Sequence, residues 1–353
     1  MRKEGHKLME FQNWYEKAGN DADVVLSTRI RLARNLRRYP FPIKADAAQK
    51  EEIENRIKDA LLGGNSVISG DFSFVPLEDL SEEEAVSLVE RHLVSPEFIS
   101  DRRGKAILLS RDESVSIMIN EEDHLRIQVL REGLSLKEAF EMADRIDSLL
   151  NEHLEFAFDP EFGYLTQCPT NLGTGMRASV MLHLPALTES GVIARVSANL
   201  SKLGLTIRGT YGEGTQVIGA LYQLSNQITL GLSEGEAIAN LQSIARQLIE
   251  DERKARRQMA QNILIQDKIN RSTGVLKSAR MLSCNEFMEL LSYVRLGLSA
   301  GVLTGVTEAE LNSLSVTAQP ATLMAKEGRP MNEQERDIAR AKLTRELCAK
   351  IKE

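Results

Sequence analysis

The chain has 353 residues, of which 42% are hydrophobic and 27% are charged, as in an ordinary soluble globular protein. Its 51 acidic residues exceed its 44 lysines and arginines, and the net charge of −7 argues against nucleic acid as the main ligand. No apolar run is long enough to span a bilayer, no signal sequence opens the chain, and three scattered cysteines form neither a disulfide framework nor a zinc site. We therefore expect a cytoplasmic protein, long enough for two domains, whose five histidines show no metal-ligand spacing.

Mixed α and β elements are predicted from Val24 onward, after a polar N-terminal segment. The first strand becomes strongly basic, and alternation places Arg29 and Arg31 on the same face, although a charged edge strand would look alike. Further strands are predicted at residues 105–111, 114–120, 124–130, 178–184, 205–208, 217–221 and 227–230. Short strands separated by helices and tight turns indicate an α+β fold, with an antiparallel β-sheet flanked by helices.

Helices are predicted where apolar residues recur at helical spacing after a capping residue. In the mixed part they cover residues 47–62, 81–94 and 193–203, and another begins at the capping box of Ser135 and Glu138. From Ser233 onward only helices are predicted, each with an acid three residues after its cap, and the caps are Ser233, Ser283, Thr307 and Asn332. The chain therefore divides into an N-terminal segment (1–23), a mixed catalytic part (24–254) and an all-α C-terminal domain (255–353).

The segment from Cys168 to Arg177 combines several chemical groups in ten residues, CPTNLGTGMR. A proline stiffens the turn after the thiol, and Gly173 and Gly175 would let backbone N–H groups approach an anion, with the Thr174 hydroxyl as a further donor. No Walker sequence occurs in the chain. For the two glycines alone, a glycine-rich turn between two strands is the favoured interpretation.

Five arginines of the mixed part lie in or beside predicted strands or glycine loops, and they are Arg29, Arg31, Arg126, Arg177 and Arg208. A single arginine on a strand is usually a salt-bridge partner, whereas several that converge form a phosphate clamp through their planar, forked donors. Phosphoryl transfer depends on alignment and on positive charge over the moving group more than on covalent help from the protein. The set therefore predicts a phosphoryl-transfer site if the fold brings its members together.

Acidic groups would supply the other half of such a site. Glu122 lies within an acidic triplet, and Glu213 lies in a glycine-rich loop at residues 209–214. One interpretation is a solvated turn or a magnesium neighbourhood, and the sharper one pairs the two glutamates around a guanidinium, where a carboxylate accepts the departing proton. A Cys168 thiolate would add a negative contact, and a small buried hydrophobic residue is an equally good interpretation of that cysteine.

Together these motifs resemble the catalytic domain of the phosphagen (guanidino) kinases, the family of creatine kinase and arginine kinase. The matching stretches occur in family order across residues 24–254, and they are Ser27–Arg31, Asn120–Arg126, Cys168–Arg177 and Arg208–Glu213. The resemblance implies that Glu122 and Glu213 hold and deprotonate a guanidinium that Cys168 touches. It also implies ATP and Mg²⁺ as cofactors, with no metal ligand assigned to the protein. The implied ATP site is formed by Ser27, Thr28, Arg29, Ile30, Arg31, His92, Arg126, Arg177, Ala178, Ser179, Val180, Met181, Arg208, Gly209, Thr210, Tyr211 and Gly212.

Two departures from that family resemble the bacterial protein arginine kinases of the McsB type. Members that act on small guanidines carry a helical domain before the arginine-rich strand, whereas only 23 residues precede Val24 here, which would open the site to an arginine within a protein. The added all-α domain contains the motif Arg336–Ala341. The resemblance implies an allosteric phosphoarginine pocket formed by Arg336, Asp337 and Arg340, while the motif by itself favours a solvated charged helix.

The resemblance implies ATP-dependent transfer of the γ-phosphoryl group to arginine side chains of proteins, which marks them for Clp-type degradation in the stress response. It also implies arginine-bearing protein substrates with a heat-shock repressor among them, an activator protein, Clp-type protease machinery and a homo-oligomer. We expect no nucleic acid and no membrane as partner. Two alternatives stay open: a kinase for free arginine or another small guanidine, and a non-catalytic phosphoarginine reader.

Overall fold

The computed structural model of the chain describes residues 12–63, 69–209 and 217–352. Within these ranges the strands are Val25–Arg34 (β1), Phe72–Pro76 (β2), Ala106–Ser110 (β3), Val115–Ile119 (β4), Leu125–Glu132 (β5), Phe158–Asp159 (β6), Gly163–Tyr164 (β7), Met176–His183 (β8), Leu205–Gly209 (β9) and Leu221–Asn226 (β10). The α-helices are Ala47–Leu62 (α1), Glu82–Glu90 (α2), Pro96–Ser100 (α3), Leu136–His153 (α4), Pro185–Glu189 (α5), Ile193–Lys202 (α6), Glu234–Met259 (α7), Ile263–Ser278 (α8), Cys284–Ser299 (α9), Glu308–Thr317 (α10), Pro320–Glu327 (α11) and Glu333–Cys348 (α12).

An eight-stranded antiparallel sheet forms the centre of the molecule, in the order β2-β3-β4-β5-β1-β8-β10-β9. The basic strand β1 pairs with β5 on one side and with β8 on the other, so the interpretation of a charged edge strand is wrong. In this register Ala33 lies opposite Arg126, and Arg31 lies opposite Arg177. Because facing residues share a side of the sheet, Arg29, Arg31, Arg126 and Arg177 all project from one face.

The two faces of the sheet are covered by different parts of the chain. Apolar side chains of α1, α4, α6 and α7 pack on the face opposite the arginines and form the largest core, in which Ile30 and Leu32 of β1 are buried. The arginine face meets a cluster that includes Trp14, Phe98 and Met118 and a second core built from α8 to α12. The antiparallel sheet, its flanking helices and the helical C-terminal domain confirm the predicted fold class.

Three predictions about individual elements are wrong. The helix predicted to reach Val94 ends at Glu90, because His92 adopts a left-handed conformation with φ of 63°. Ser135 does not cap α4, since its hydroxyl donates to the carbonyl of Glu132. The strand pair predicted at residues 217–221 and 227–230 is replaced by one strand, β10, which lies between β8 and β9 and carries polar residues on the arginine face.

Helix α7 joins the catalytic sheet to the C-terminal helices through a buried ion pair. Arg256 donates to Glu252 at 2.7 Å, to the carbonyl of His183 at 2.6 Å and to the hydroxyl of Ser299 in α9 at 2.8 Å. Glu252 also accepts from two backbone N–H groups at the start of α5, both at 3.0 Å. One network therefore ties β8, α5, α7 and α9 together.

We expect Arg256→Ala to destabilise the protein strongly, because it leaves the fully buried carboxylate of Glu252 without its cation. The loss in unfolding free energy should be about 3–5 kcal/mol, the usual cost of removing one partner of a buried pair. Chemical denaturation measures it, and Arg257→Ala, which removes an exposed arginine one position further, should stay within about 0.5 kcal/mol of the parent protein. Equal effects of the two substitutions would contradict the assigned role of Arg256.

The same network makes stability depend on pH through His183. Its Nδ1 faces Arg256 at 3.1 Å and its Nε2 faces Ser292 at 2.8 Å, and burial together with the charges of Arg256 and Arg295 holds the pKa of His183 well below its ordinary value. The folded protein therefore keeps this ring neutral, while the unfolded chain binds a proton below about pH 6.5.

We expect the unfolding free energy of the parent protein to fall as the pH falls from 7.5 to 5.5. His183→Gln should reduce the slope of unfolding free energy against pH by up to about 1.4 kcal/mol per pH unit. Denaturation at the two pH values measures the slope for each protein. His153→Gln is the control, because His153 is exposed at the end of α4. An unchanged slope in the His183 variant would show that this histidine does not carry the linkage.

Candidate active site

The arginine face of the sheet forms the floor of two adjoining cavities that share Arg31 and Arg126. The larger, the base cavity, has a volume of about 530 Å³ and extends past Arg29 and His92 to the C-terminal helices. The smaller, the acceptor cavity, has a volume of about 290 Å³ and contains Glu122, Cys168 and Arg177. The two cavities together place basic groups in the middle and an acid with a thiol at one end.

Three of the five predicted arginines lie in this floor without a carboxylate partner. Among the described residues, Arg29, Arg31 and Arg177 form no ion pair, and Arg29 donates instead to the side-chain oxygen of Gln223 at 2.8 Å. Burial and the charge of Arg126 lower the pKa of Arg29 to about 10. The charge of Arg29 and then burial hold the pKa of Arg31 well below its ordinary value. Such mutual repulsion marks a site with unsatisfied positive charge, which a polyanion would relieve.

Arg126 and Arg208 complete the set from the two sides. The guanidinium of Arg126 pairs with Glu121 at 2.8 Å and with Glu122 at 3.0 Å. Arg208 lies opposite Gln223 in the sheet, and its charge contributes to the lowered pKa of Arg177, which burial lowers most. The structure therefore brings all five predicted arginines to one face.

Glu122 and Cys168 lie together in the acceptor cavity. The Glu122 side chain is 37% exposed, so its carboxylate is accessible from solvent beside Arg126. The Cys168 sulfur lies 3.0 Å from the hydroxyl of Thr170 and is half-buried, which excludes a fully buried hydrophobic role for this cysteine. Glu213, Thr210, Tyr211 and Gly212 lie outside the described residues, so the pairing of Glu122 with Glu213 stays a prediction.

His92 lines the base cavity between Arg29 and Trp14. Its ring centroid lies 6.4 Å from that of Trp14, and its carbonyl accepts from Gln128 at 2.9 Å, which supports the left-handed backbone. Burial and the nearby Arg29 lower the pKa of His92 to about 4. The ring is therefore neutral near pH 7 and offers a flat polar surface rather than a charge.

The other predicted nucleotide-binding residues divide by face. Ser27 and Met181 line the base cavity, Ser179 lies beside them, and Gly209 ends β9. Four predicted residues have side chains that do not reach the cavities, and they are Thr28, Ile30, Ala178 and Val180. β-strand alternation directs these side chains into the core on the opposite face of the sheet. Thr28 is occupied there, since its hydroxyl donates to the carbonyl of Gly133 at 2.7 Å.

The glycines of the Cys168–Arg177 loop allow close packing of the backbone. The N–H of Gly173 donates to Phe162 and that of Thr174 donates to Thr229, both at 2.9 Å. A Cβ on Gly173 would lie 2.2 Å from the Thr229 carbonyl oxygen, and its φ of 95° suits glycine alone. The predicted anion contact is therefore wrong for the N–H groups of Gly173 and Thr174 and for the Thr174 hydroxyl, which donates to Thr229 at 3.3 Å. For Gly175, which lines the acceptor cavity, it stays a prediction.

Asp123 has a structural role that the sequence did not indicate. Its buried carboxylate accepts from Asn35 at 2.6 Å and from the backbone N–H of Gln167 at 2.8 Å, and burial raises its pKa. It thereby fixes the residue before Cys168 to the end of β1. An acidic triplet by itself indicates a solvated turn. Nothing in the local sequence indicates that Asp123 is buried while the neighbouring Glu122 is accessible.

The motif predicted to bind phosphoarginine lies on α12. Arg340 is 1% exposed and donates to Ala318 at 2.9 Å, to Leu282 at 2.7 Å and to the carboxylate of Asp337 at 2.6 Å. Arg336 is half-buried and donates to the carbonyl of Met331 at 3.0 Å. The interpretation of a solvated charged helix is therefore wrong for Arg340, which holds α12 to the preceding helices and fixes Asp337.

No group of three or more histidine, cysteine, aspartate or glutamate side chains within the described ranges is arranged to hold a metal ion. No helix there is both long and apolar enough to cross a membrane.

Comparison with known proteins identifies the family. The family model of the ATP:guanido phosphotransferase C-terminal catalytic domain matches residues 52–255, and that of the protein-arginine kinase McsB C-terminal domain matches residues 262–353. The solved lombricine kinase is 28% identical with a TM-score of 0.59, over 67% of this chain and 69% of that chain. The duplicated taurocyamine kinase from Schistosoma mansoni is 30% identical with a TM-score of 0.59, over 70% of this chain and 36% of that chain.

Two relatives match almost from end to end. The protein-arginine kinase of Halothermothrix orenii is 47% identical over 333 residues, which cover 94% of this chain and 95% of the relative. That of Brevibacillus brevis is 44% identical over 338 residues, which cover 95% of each. With both family models and these relatives matched along its length, the chain belongs to the protein-arginine kinase family.

Proposed function

We propose that the protein transfers the γ-phosphoryl group of ATP to the guanidino group of arginine side chains in proteins. One observation carries the proposal: Arg29, Arg31 and Arg177 gather without carboxylate partners next to a cavity that holds Glu122 and Cys168. A triphosphate supplies the missing negative charge, and a guanidinium suits the carboxylate and thiol. Membership of the family supports the arginine of a protein as acceptor over free arginine.

In the proposed reaction a terminal nitrogen of the substrate guanidinium forms a bond to the γ-phosphorus while the bond to the ADP oxygen breaks. The proton lost by that nitrogen passes to the carboxylate of Glu122. The arginines stabilise charge on the moving group and on the leaving phosphate. Because Arg126 holds Glu122 at 3.0 Å, a triphosphate that takes over Arg126 would release the carboxylate for the acceptor.

Mg²⁺ would accompany the triphosphate in this scheme. It usually retains several waters and binds largely through phosphate oxygens, so the ion would need no dedicated set of protein ligands, and Glu122 would stay available to the acceptor. When bound, the ion would neutralise part of the phosphate charge.

Glu122→Gln should lower phosphoryl transfer by about 10²–10⁴-fold and leave ATP affinity largely unchanged, because the amide keeps the shape and loses the base. Transfer is measured by mapping phosphosites on an arginine-rich protein under conditions that avoid acid, and ATP affinity by calorimetry. Glu152→Gln, at the exposed end of α4, is the control and should behave as the parent protein. Full transfer by the Glu122 variant would overturn its role as base.

The same phosphosite maps separate the candidate functions. Phosphate on arginine residues of the protein supports the proposal, and phosphate found only on Ser, Thr or Tyr would contradict it. Turnover with free arginine but not with protein would favour the small-guanidine kinase. The absence of ATP turnover with any acceptor would favour the phosphoarginine reader.

We also propose that Arg336 and Asp337 form a regulatory phosphoarginine site, with Arg340 holding Asp337 in place. Arg336→Ala should weaken the binding of free phosphoarginine about tenfold, the usual effect of losing one charge-assisted hydrogen bond. Calorimetry measures the affinity, and Arg329→Ala, an exposed arginine that pairs with Glu335 outside the motif, is the control. Equal affinity of parent and Arg336 variant would rule out this contact.

Family membership supports a wider proposal. Phosphorylated arginines would mark proteins for Clp-type degradation in the stress response, with a heat-shock repressor among the substrates. An activator protein and a homo-oligomeric assembly are part of the same proposal. A reducing cytoplasm is in keeping with the three free cysteines.

A further inference from the structure

The base cavity extends from the arginine floor into the C-terminal helical domain. Its lining there consists of Asn312, Ser315, Val316 and Gln319. The last three residues follow Asn312 by three, four and seven positions. This spacing is one face of a helix, so α10 and the residues after it form a wall of the cavity. The phosphagen-kinase part of the chain supplies the floor, and the helical domain supplies this wall.

One polar side chain in the wall has an unused hydrogen-bonding atom. Gln319 is occupied at both ends, because its amide N–H donates to Ser315 at 2.9 Å and its oxygen accepts from Cys284 at 3.4 Å. The Ser315 hydroxyl donates to the carbonyl of Asn312 at 2.7 Å. By contrast, the side-chain oxygen of Asn312 is buried and has no hydrogen-bond partner among the described residues.

The burial of this atom is costly unless a ligand satisfies it. Asn312 is only 5% exposed, and an unpaired polar atom at such a site loses its hydrogen bonds to water without replacement. In the same cavity, the indole N–H of Trp14 is also buried and unpartnered within the described part of the chain. Apolar surface in the lining of this cavity comes from Met181, Met288 and Val316. An apolar slot with an amide at one edge is the usual environment of a planar heterocyclic base.

We infer that the Asn312 side chain recognises the exocyclic amine of the base of the bound nucleotide. The C-terminal domain would then determine specificity for 6-aminopurines. The amide oxygen accepts from the exocyclic N–H, and the amide N–H donates to the neighbouring ring nitrogen, the paired contact that asparagine makes with adenine. The 6-oxo group of guanine would place an acceptor opposite that oxygen. The inference rests on the proposed function, since it requires the triphosphate to lie on the arginine floor.

The position of Asn312 relative to the arginines agrees with one extended ligand. The same cavity contains Arg29, Arg31 and Arg126 at its floor and Asn312 in its wall, and its volume of about 530 Å³ lies within the range of small-molecule sites. Phosphates on the floor would therefore direct the base toward α10. Because Trp14 lines this cavity and is the only tryptophan of the chain, its fluorescence reports occupancy directly.

The test compares ATP with purine riboside triphosphate, which lacks the exocyclic amine, on the full-length protein. The parent protein should bind the deamino nucleotide about tenfold more weakly than ATP, and Asn312→Ala should bind ATP about tenfold more weakly than the parent. In the Asn312 variant the two nucleotides should bind equally, because the amine has lost its partner. Ser313→Ala, on the same helix outside the cavity wall, is the matched control and should keep the tenfold preference.

Two further arms separate this inference from the proposed function. Arg31→Ala should weaken the binding of both nucleotides alike, and failure of ATP to bind the parent protein would overturn the proposed function and the inference together. If ATP binding requires Arg31 but the parent does not distinguish the two nucleotides, the inference about Asn312 alone is overturned. An equal loss of both nucleotides in Asn312→Ala would also overturn it, and thermal unfolding of the variant, with an unchanged Tm, excludes a folding defect as the cause of weaker binding.

Discussion

The repulsion among arginines on the central strand is the constraint on which the structure depends. Arg29 and Arg31 project from the middle strand of an eight-stranded sheet, where burial and like charge lower the pKa of both. A fold keeps such groups together only if rigid neighbours hold them, and β5 and β8 do so by hydrogen bonding along both edges of β1. The arrangement stores unfavourable electrostatic energy that a bound polyanion would release.

The surroundings of the arginines are organised to keep that site in shape. Asp123 fastens the Cys168 loop to the end of β1, and Gly173 lets that loop pack directly against the chain at Thr229. On the far side, Arg256 and Glu252 connect the sheet to the C-terminal helices through a buried ion pair. These contacts connect the sheet, the Cys168 loop and the C-terminal helices around two adjoining cavities.

The C-terminal domain is more than an appendage to the kinase sheet. Glu90 of α2 accepts from the N-terminal backbone N–H groups of Ala321 and Thr322 at 2.9 and 2.7 Å, so a catalytic-part carboxylate caps α11. Arg340 in α12 bonds to Ala318, at the end of the helix that lines the base cavity. The motif on α12 is therefore hydrogen-bonded to the end of the helix that carries Asn312.

Local periodicity and motifs were enough to predict the fold class, the helix starts that follow capping residues and the identity of the five arginines. The prediction of two strands in place of β10 was wrong, because pairing with β8 and β9 overrides the weak local pattern. The sequence also offered no signal that distinguishes Asp123 from its acidic neighbours. That α10 lines the same cavity as the arginines, and that Asn312 is buried there with an unpartnered oxygen, became clear from the folded structure. Burial and hydrogen-bond satisfaction depend on contacts between residues far apart in the chain, and no local pattern encodes them.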